Sequence, residues 1–161
     1  MPAIHSAPRR PARGFTLVEL MVVMVIIGIT LGLVSLNAIP SPQQHLQNEA
    51  SRLALLLQLA RDEAIVRNRL VAFEADDMQY RFIVRNDTRW DPIIDDDLLR
   101  QREFKDGPLT LLMDPNTTLP GAPLRITFGR EPVDKPFVLT LVAGGARAAI
   151  RADGIGHFVV E

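Results

Sequence analysis

The sequence contains no cysteine, which excludes a disulfide framework and a thiolate site alike. That absence leaves the compartment open, because oxidising surroundings permit disulfides without requiring them. Histidine is nearly as scarce. His5 lies near the start, His45 precedes a helical pattern and His157 alternates within a strand-like run, so no pair has zinc-ligand spacing. No serine sits in a Gly-x-Ser-x-Gly context. Neither a P-loop nor a Gly-x-Gly-x-x-Gly fingerprint follows a strand. Basic charge is concentrated only at the beginning, where Arg9, Arg10 and Arg13 occur with no acid among residues 1–14, and the formal net charge of the whole chain is −1. A basic tip on a mildly acidic body offers no broad cationic surface for nucleic acid. The expectation is therefore a binding or structural protein, not an enzyme, with no cofactor and no metal. Asp95, Asp96 and Asp97 form the densest acidic cluster, but they lack the alternating ligands and the glycine of an EF-hand loop. They read as a solvated loop, with a calcium site as the weaker alternative.

What the chain does have is a long uncharged stretch. No Asp, Glu, Lys or Arg occurs from Leu20 to Leu46, and Phe15 to Ile39 is apolar apart from Glu19, two threonines, Ser35 and Asn37. As a helix this run covers roughly 37 Å at about 1.5 Å per residue, against a hydrocarbon core of about 30 Å. The arginines precede it and the first charge after it is Glu49. That asymmetry predicts a cytoplasmic N-terminus and a C-terminal part on the far side of the membrane. A cleaved secretory signal peptide is the rival, but the run is too long and lacks a small-x-small site followed at once by polar sequence.

Glu19 is the anomaly in this run. A carboxylate at the centre of a bilayer helix costs on the order of 3 kcal/mol, although one near the interface can snorkel. A cut between Gly14 and Phe15 would give the charge a use, because the new α-amino group could pair with the Glu19 carboxylate of a neighbouring molecule where the dielectric is low.

The stretch "RGFTLVELMVVMVIIGI" resembles the N-terminal signature of type IV prepilins and of the pseudopilins of type II secretion. By that resemblance, residues 1–14 are a leader removed by a prepilin peptidase after Gly14, the new terminus at Phe15 is methylated, and Glu19 draws the subunit into a filament. Gly28 and Gly32 form a Gly-x-x-x-Gly pair, which allows close helix approach in lipid but is common in spanning helices.

Beyond the apolar run, Pro40 and Pro42 are expected to interrupt the helix. Leu46, Ala50, Leu53, Leu57, Ala60 and Ala64 then recur at helical spacing, with Glu49, Arg52, Arg61, Asp62, Glu63 and Arg67 mostly off that stripe. This predicts an amphipathic helix over about 43–68. From Leu70 onwards seven short β-type runs, beginning at residues 70, 78, 107, 124, 136, 146 and 155, are divided by turn chemistry such as Gly144-Gly145 and Asp153-Gly154. Residues 86–105 show no clear period and read as a long exposed loop, with room for a short helix around 97–102. Asn-x-Thr patterns at 86–88 and 116–118 mean little in a chain with such a leader. The fold expected is α+β: an N-terminal helix, first transmembrane and then amphipathic, packed on an antiparallel β-sandwich. The divisions are 1–14 leader, 15–39 transmembrane helix, 40–68 amphipathic helix and 69–161 β-domain.

A second resemblance follows from "LARDEAIVRN" and "RADGIGHFVV", which are similar to segments of minor pseudopilins of the H type and their type IV pilus relatives. The resemblance implies a pilin-like fold and a single pass through the inner membrane, with the C-terminal domain in the periplasm. Its implied partners are the other minor pseudopilins and the major pseudopilin, the prepilin peptidase and the inner membrane, with secreted cargo or the secretin as further contacts. The role implied is at or near the tip of a pseudopilus that exports folded proteins. The alternatives are a minor pilin priming a type IV pilus and a membrane-tethered periplasmic enzyme or sensor.

Overall fold

The computed structural model describes residues 15–36, 41–116, 122–131 and 133–161, with side chains excluded for 33–36. It divides into two units, Met1–Ile39 and Pro40–Glu161. The described part of the first is helix α1, Leu17–Leu36. Thr16 starts it: its carbonyl accepts from the Leu20 amide at 3.2 Å, and its hydroxyl accepts from the Glu19 amide at 3.2 Å. An N-cap hydroxyl satisfies one of the four donors that a helix start leaves over. The apolar side chains of α1 over residues 17–32 are exposed on every side. Among the described residues no helix is long and apolar enough to cross a membrane. The apolar run of the sequence continues to Ile39, so the expected span lies in part outside the described residues.

The second unit opens with helix α2, Pro42–Val66. The expected interruption is present, since Ser41 is extended and α2 starts afresh after it, and Pro42 occupies the first turn of α2, where the missing N–H costs nothing and the fixed φ suits the helix. Ser41 completes a capping box: its hydroxyl accepts from the Gln44 amide at 3.3 Å and its own amide donates to Gln44 Oε1 at 3.0 Å. At the other end Asn68 takes a positive φ of 52°, while the Asn68 amide donates to the Ile65 carbonyl and the Arg69 amide to that of Ala64. That pairing is a Schellman stop, and it ends the helix slightly before Asn68.

The strands are β1 (Val71–Ala75), β2 (Gln79–Asn86), β3 (Arg89–Pro92), β4 (Arg102–Glu103), β5 (Thr110–Asp114), β6 (Leu124–Phe128), β7 (Phe137–Ala143), β8 (Ala146–Ala152) and β9 (Phe158–Val160). They form two antiparallel sheets. Sheet A has the order β3-β2-β1-β6 with β4 also on β2, and sheet B the order β5-β7-β8-β9. The β7–β8 hairpin turns at Gly144 and Gly145, both at positive φ, as a two-residue connection matching strand twist requires.

Helix α2 packs across both sheets, on β1 and β6 of one and β7, β8 and β9 of the other. Every residue of its predicted stripe is buried. Phe73, Tyr80, Phe82 and Phe128 from sheet A and Leu139, Leu141 and Ile150 from sheet B fill the other side of this core. An α+β fold results, with the amphipathic helix as the element that joins the sheets.

Two expectations need correcting. The segment 86–105 is not a long exposed loop: it contains β3 and β4, and Ile93, Leu99 and Phe104 anchor it in the core. In place of a helix around 97–102 there is only a turn at 97–99. Apolar residues spaced irregularly gave no period to read, and pairing with β2 decided the outcome. Glu49 and Arg61, placed off the apolar stripe from sequence, are both buried, because two sheets cover a wider arc of α2 than a single sheet would.

Candidate functional site

The N-terminal candidates lie on or before α1. Phe15 is exposed, and Glu19 is exposed in the first turn. Position supplies a local reason for an acid here, since a carboxylate in the first turn meets the positive end of the helix dipole. Thr16-x-x-Glu19 also has the spacing of a capping box, a signal the sequence reading passed over. The structure shows the Thr16 half of it. Gly14 lies outside the described residues. Around Gly28 and Gly32 an added Cβ would meet nothing within 4 Å, so both present open backbone.

The helix surface as a whole is the larger fact. Val18, Leu20, Met21 and Ile26 are all more than half exposed, and at 100° per residue they point to four different sides of the helix. A helix apolar on every side requires lipid or other helices for cover.

In the second unit the titratable residues are mostly committed to structure. His45 Nδ1 stands 3.4 Å from Asp106. His157 Nδ1 is 2.6 Å from Asp153 Oδ2. The other Asp153 oxygen accepts the amides of Ile155, Gly156 and His157. The Asp153 carboxyl pKa is lowered to about 2, the slight burial being outweighed by these bonds and the adjoining imidazole. Asp96 Oδ1 accepts the Leu98 and Leu99 amides at 2.7 and 3.2 Å, which makes it the closing group of a turn. Among the described residues no three His, Cys, Asp or Glu side chains are grouped to hold a metal ion. His5 lies outside the described residues.

Two buried charge clusters were not foreseen. Glu74, in the middle of β1, stands opposite Arg81 of β2 and Arg125 of β6. It accepts from Arg81 Nε at 2.9 Å and from Arg125 Nε at 2.9 Å, with Arg125 Nη2 also bound to it. Burial alone would raise its pKa, but the two guanidinium groups outweigh it and the net shift is downward. Arg61, on α2, lies 3.9 Å from Asp134 and against Gly156. Gly156 has a φ of 115°, and a Cβ there would come within 2.6 Å of Arg61 Nη1. The two sequence segments similar to H-type pseudopilins thus meet, one contributing Arg61 and the other Gly156. Long-range pairing of this kind leaves no local signal in a sequence.

Residues 9–35 match the prokaryotic N-terminal methylation motif, and residues 49–156 match the family of type II transport protein GspH. The chain is similar to the type II secretion system protein H of Pseudomonas aeruginosa strain PAO1, 42% identical over 91 residues, or 54% of this chain and 52% of that protein. The match thus spans about half the length of that relative. In fold it is similar to the minor pseudopilin EpsH from the type II secretion system of Vibrio cholerae, with a TM-score of 0.58 at 19% identity, covering 75% of this chain and 98% of the other. It also resembles the type IV minor pilin FimU of Pseudomonas aeruginosa, with a TM-score of 0.53 at 19% identity, covering 72% and 87%.

Proposed function

Because the chain belongs to the GspH family of type II transport proteins, we propose that it works as a minor pseudopilin. In this reading it is inserted in the inner membrane with its N-terminus cytoplasmic, cut after Gly14 by a prepilin peptidase and methylated at Phe15. It then assembles with the other minor pseudopilins and the major pseudopilin near the tip of a periplasmic filament that supports export of folded proteins. The observation that carries the reading is α1 itself, apolar on all sides and opened by Thr16 and Glu19, within a methylation motif that precedes a GspH domain on the same chain.

Each part has a physical task. The exposed apolar surface of α1 first takes lipid as its cover and then neighbouring helices, and Gly28 and Gly32 let those helices approach closely. Glu19 neutralises the α-amino group of a neighbour, a pairing that is strong where water is excluded. The second unit presents its faces to neighbouring subunits, secreted cargo or the secretin. No covalent chemistry is assigned to it.

Mass spectrometry of the membrane-extracted chain, with and without co-expressed prepilin peptidase, tests the processing. A methylated Phe15 terminus is expected only with the peptidase, and an intact Met1 terminus in both samples overturns the reading. Glu19→Ala is expected to leave processing intact and impair secretion. The likeness in fold to FimU favours one second reading, a minor pilin priming a type IV pilus. Deleting the gene separates the two: secretion fails in the first case, and pilus-dependent motility or DNA uptake in the second.

A further inference from the structure

Strand β1 is buried on both faces, although only one face belongs to the core. Val71, Phe73 and Ala75 point into it, whereas Ala72 and Glu74 point the other way and are buried as well. Ile83 of β2 is buried on this same outer face of sheet A and stands opposite Ala72. Trp90 of β3 accounts for the cover. It faces Arg85 of β2 directly, and Arg125 lies three strands away in sheet order, about 14 Å at roughly 4.8 Å per strand. Yet the Arg125 guanidinium carbon is 5.5 Å from the indole centroid and that of Arg85 is 5.9 Å from it. The Trp90 and Arg125 side chains must therefore meet over β2 and β1, covering Ile83 and Ala72.

The result is a prearranged surface: an indole held between two guanidinium groups, with Arg125 and Arg81 held in turn by Glu74. The Arg81 and Arg125 side chains remain 51% and 45% exposed, and Trp90 is half-buried. Acidic residues outnumber basic ones in the chain after residue 14, so the patch of Arg81, Arg85 and Arg125 around Glu74 reverses the local sign, with Glu103, opposite Gln79, as the second carboxylate of this face. Tryptophan and arginine are the residues that most often anchor protein interfaces, and side chains already held in place lose little freedom on binding.

We propose that the outer face of sheet A, centred on Trp90 and flanked by Arg85 and Arg125, is a docking surface for an acidic segment of a neighbouring polypeptide. Carboxylates of that segment meet the guanidinium groups, and its aliphatic side chains cover the exposed part of the indole. Arg85 and Arg125 flank an aromatic, Arg125 shares Glu74 with Arg81, and Asp87 and Asp91 are nearby in sequence. That arrangement suits a short acidic peptide better than a polyphosphate backbone, which calls for a track of unshared cations. The proposal rests on the assembly reading above for the identity of the neighbour as another component of the secretion machinery.

Trp90 is the only tryptophan, so its emission reports on this face alone. The full chain in detergent would be titrated with the heptapeptide Ile-Ile-Asp-Asp-Asp-Leu-Leu, a probe of the stated chemistry, and with its Asn counterpart. Expected are a saturable emission change with the Asp peptide, binding at least about tenfold weaker with the Asn peptide, and a similar loss on raising the salt or in Arg85→Gln. Arg85→Lys, which keeps the charge, should retain most of the binding, and the melting temperature of each variant controls for folding. No saturable change, an equal response to the Asn peptide, or tighter binding of a single-stranded oligonucleotide overturns the proposal. The titration needs no filament. An unprocessed Phe15 terminus would therefore remove the assembly reading while the titration still decides the surface.

Discussion

Helices α1 and α2 follow one another in the chain and solve opposite problems. In α1 the apolar side chains are exposed in every direction, whereas in α2 they form a stripe from Leu46 to Ala64 that two sheets bury. Both begin with a hydroxyl cap, Thr16 in one and Ser41 in the other. The difference therefore lies in what covers them, not in how they start. Short helices gain little stability from propensity alone. Helix α2 is a folding element, held by the two sheets of its own unit, while α1 has no such cover among the described residues of its unit, which suits the assembly role proposed for it.

Several substitutions would break or sharpen that contrast. The largest effect is expected at Leu57, which is fully buried on α2: Leu57→Ala should cost about 3 kcal/mol, read by denaturant unfolding of the second unit. Ile27→Ala on α1 should leave that unfolding curve within about 0.5 kcal/mol of the parent. Equal losses would abolish the distinction between the helices.

Glycines extend the comparison. Gly156→Ala forces a side chain into a positive φ and against Arg61 beneath α2, and should cost about 1–3 kcal/mol in the same assay. Gly28→Ala meets open space and should not change the unfolding of the second unit. If it acts at all, it should act on filament assembly.

Carboxylates give a pH test. Glu49 on α2 is buried, and that burial raises its pKa above 4.5 against the opposing pull of Arg52. A raised folded value means that the contribution favouring folding is complete below pH 4.5 and is lost as pH rises through the folded pKa. Glu49→Gln should therefore compare more favourably with the parent at pH 7 than at pH 4 in thermal melts. Glu74 runs the other way. Its folded pKa is lowered, so its contribution is present above 4.5 and lost as pH falls through the folded value. Glu74→Gln should accordingly destabilise more at pH 7 than at pH 3. Melting curves of both variants whose pH dependence ran parallel would contradict the opposite shifts. A purely local effect is expected at Thr16→Ala, which removes the cap of α1 and should speed amide exchange at Glu19 several-fold, corresponding to about 1 kcal/mol. The melting temperature of the second unit should not move.

The legible parts of the molecule were those with local causes. The stripe of α2 follows from its period, the β7–β8 turn from Gly144-Gly145, and most strands from short β-type runs. Segment 86–105 was misread because β3 and β4 are short and owe their form to pairing with β2. The Thr16-x-x-Glu19 spacing is equally local, since a capping box needs only a hydroxyl and an acid three residues apart. Nothing local could have disclosed that Arg61 meets Gly156, since these residues are far apart in the chain.

By itself the sequence determined that one helix would be apolar throughout and the next apolar on one side, because hydrophobic periodicity is written residue by residue. It also carried the motif around Gly14, Phe15 and Glu19 on which the proposed processing rests, which is a matter of short spacing. Only the tertiary structure decided that Glu74, Arg81, Arg125, Arg85 and Trp90 share one face, and that Arg61 lies beneath the last hairpin. Sheet order and register set those neighbours, and they arise from burying α2 against two sheets at once.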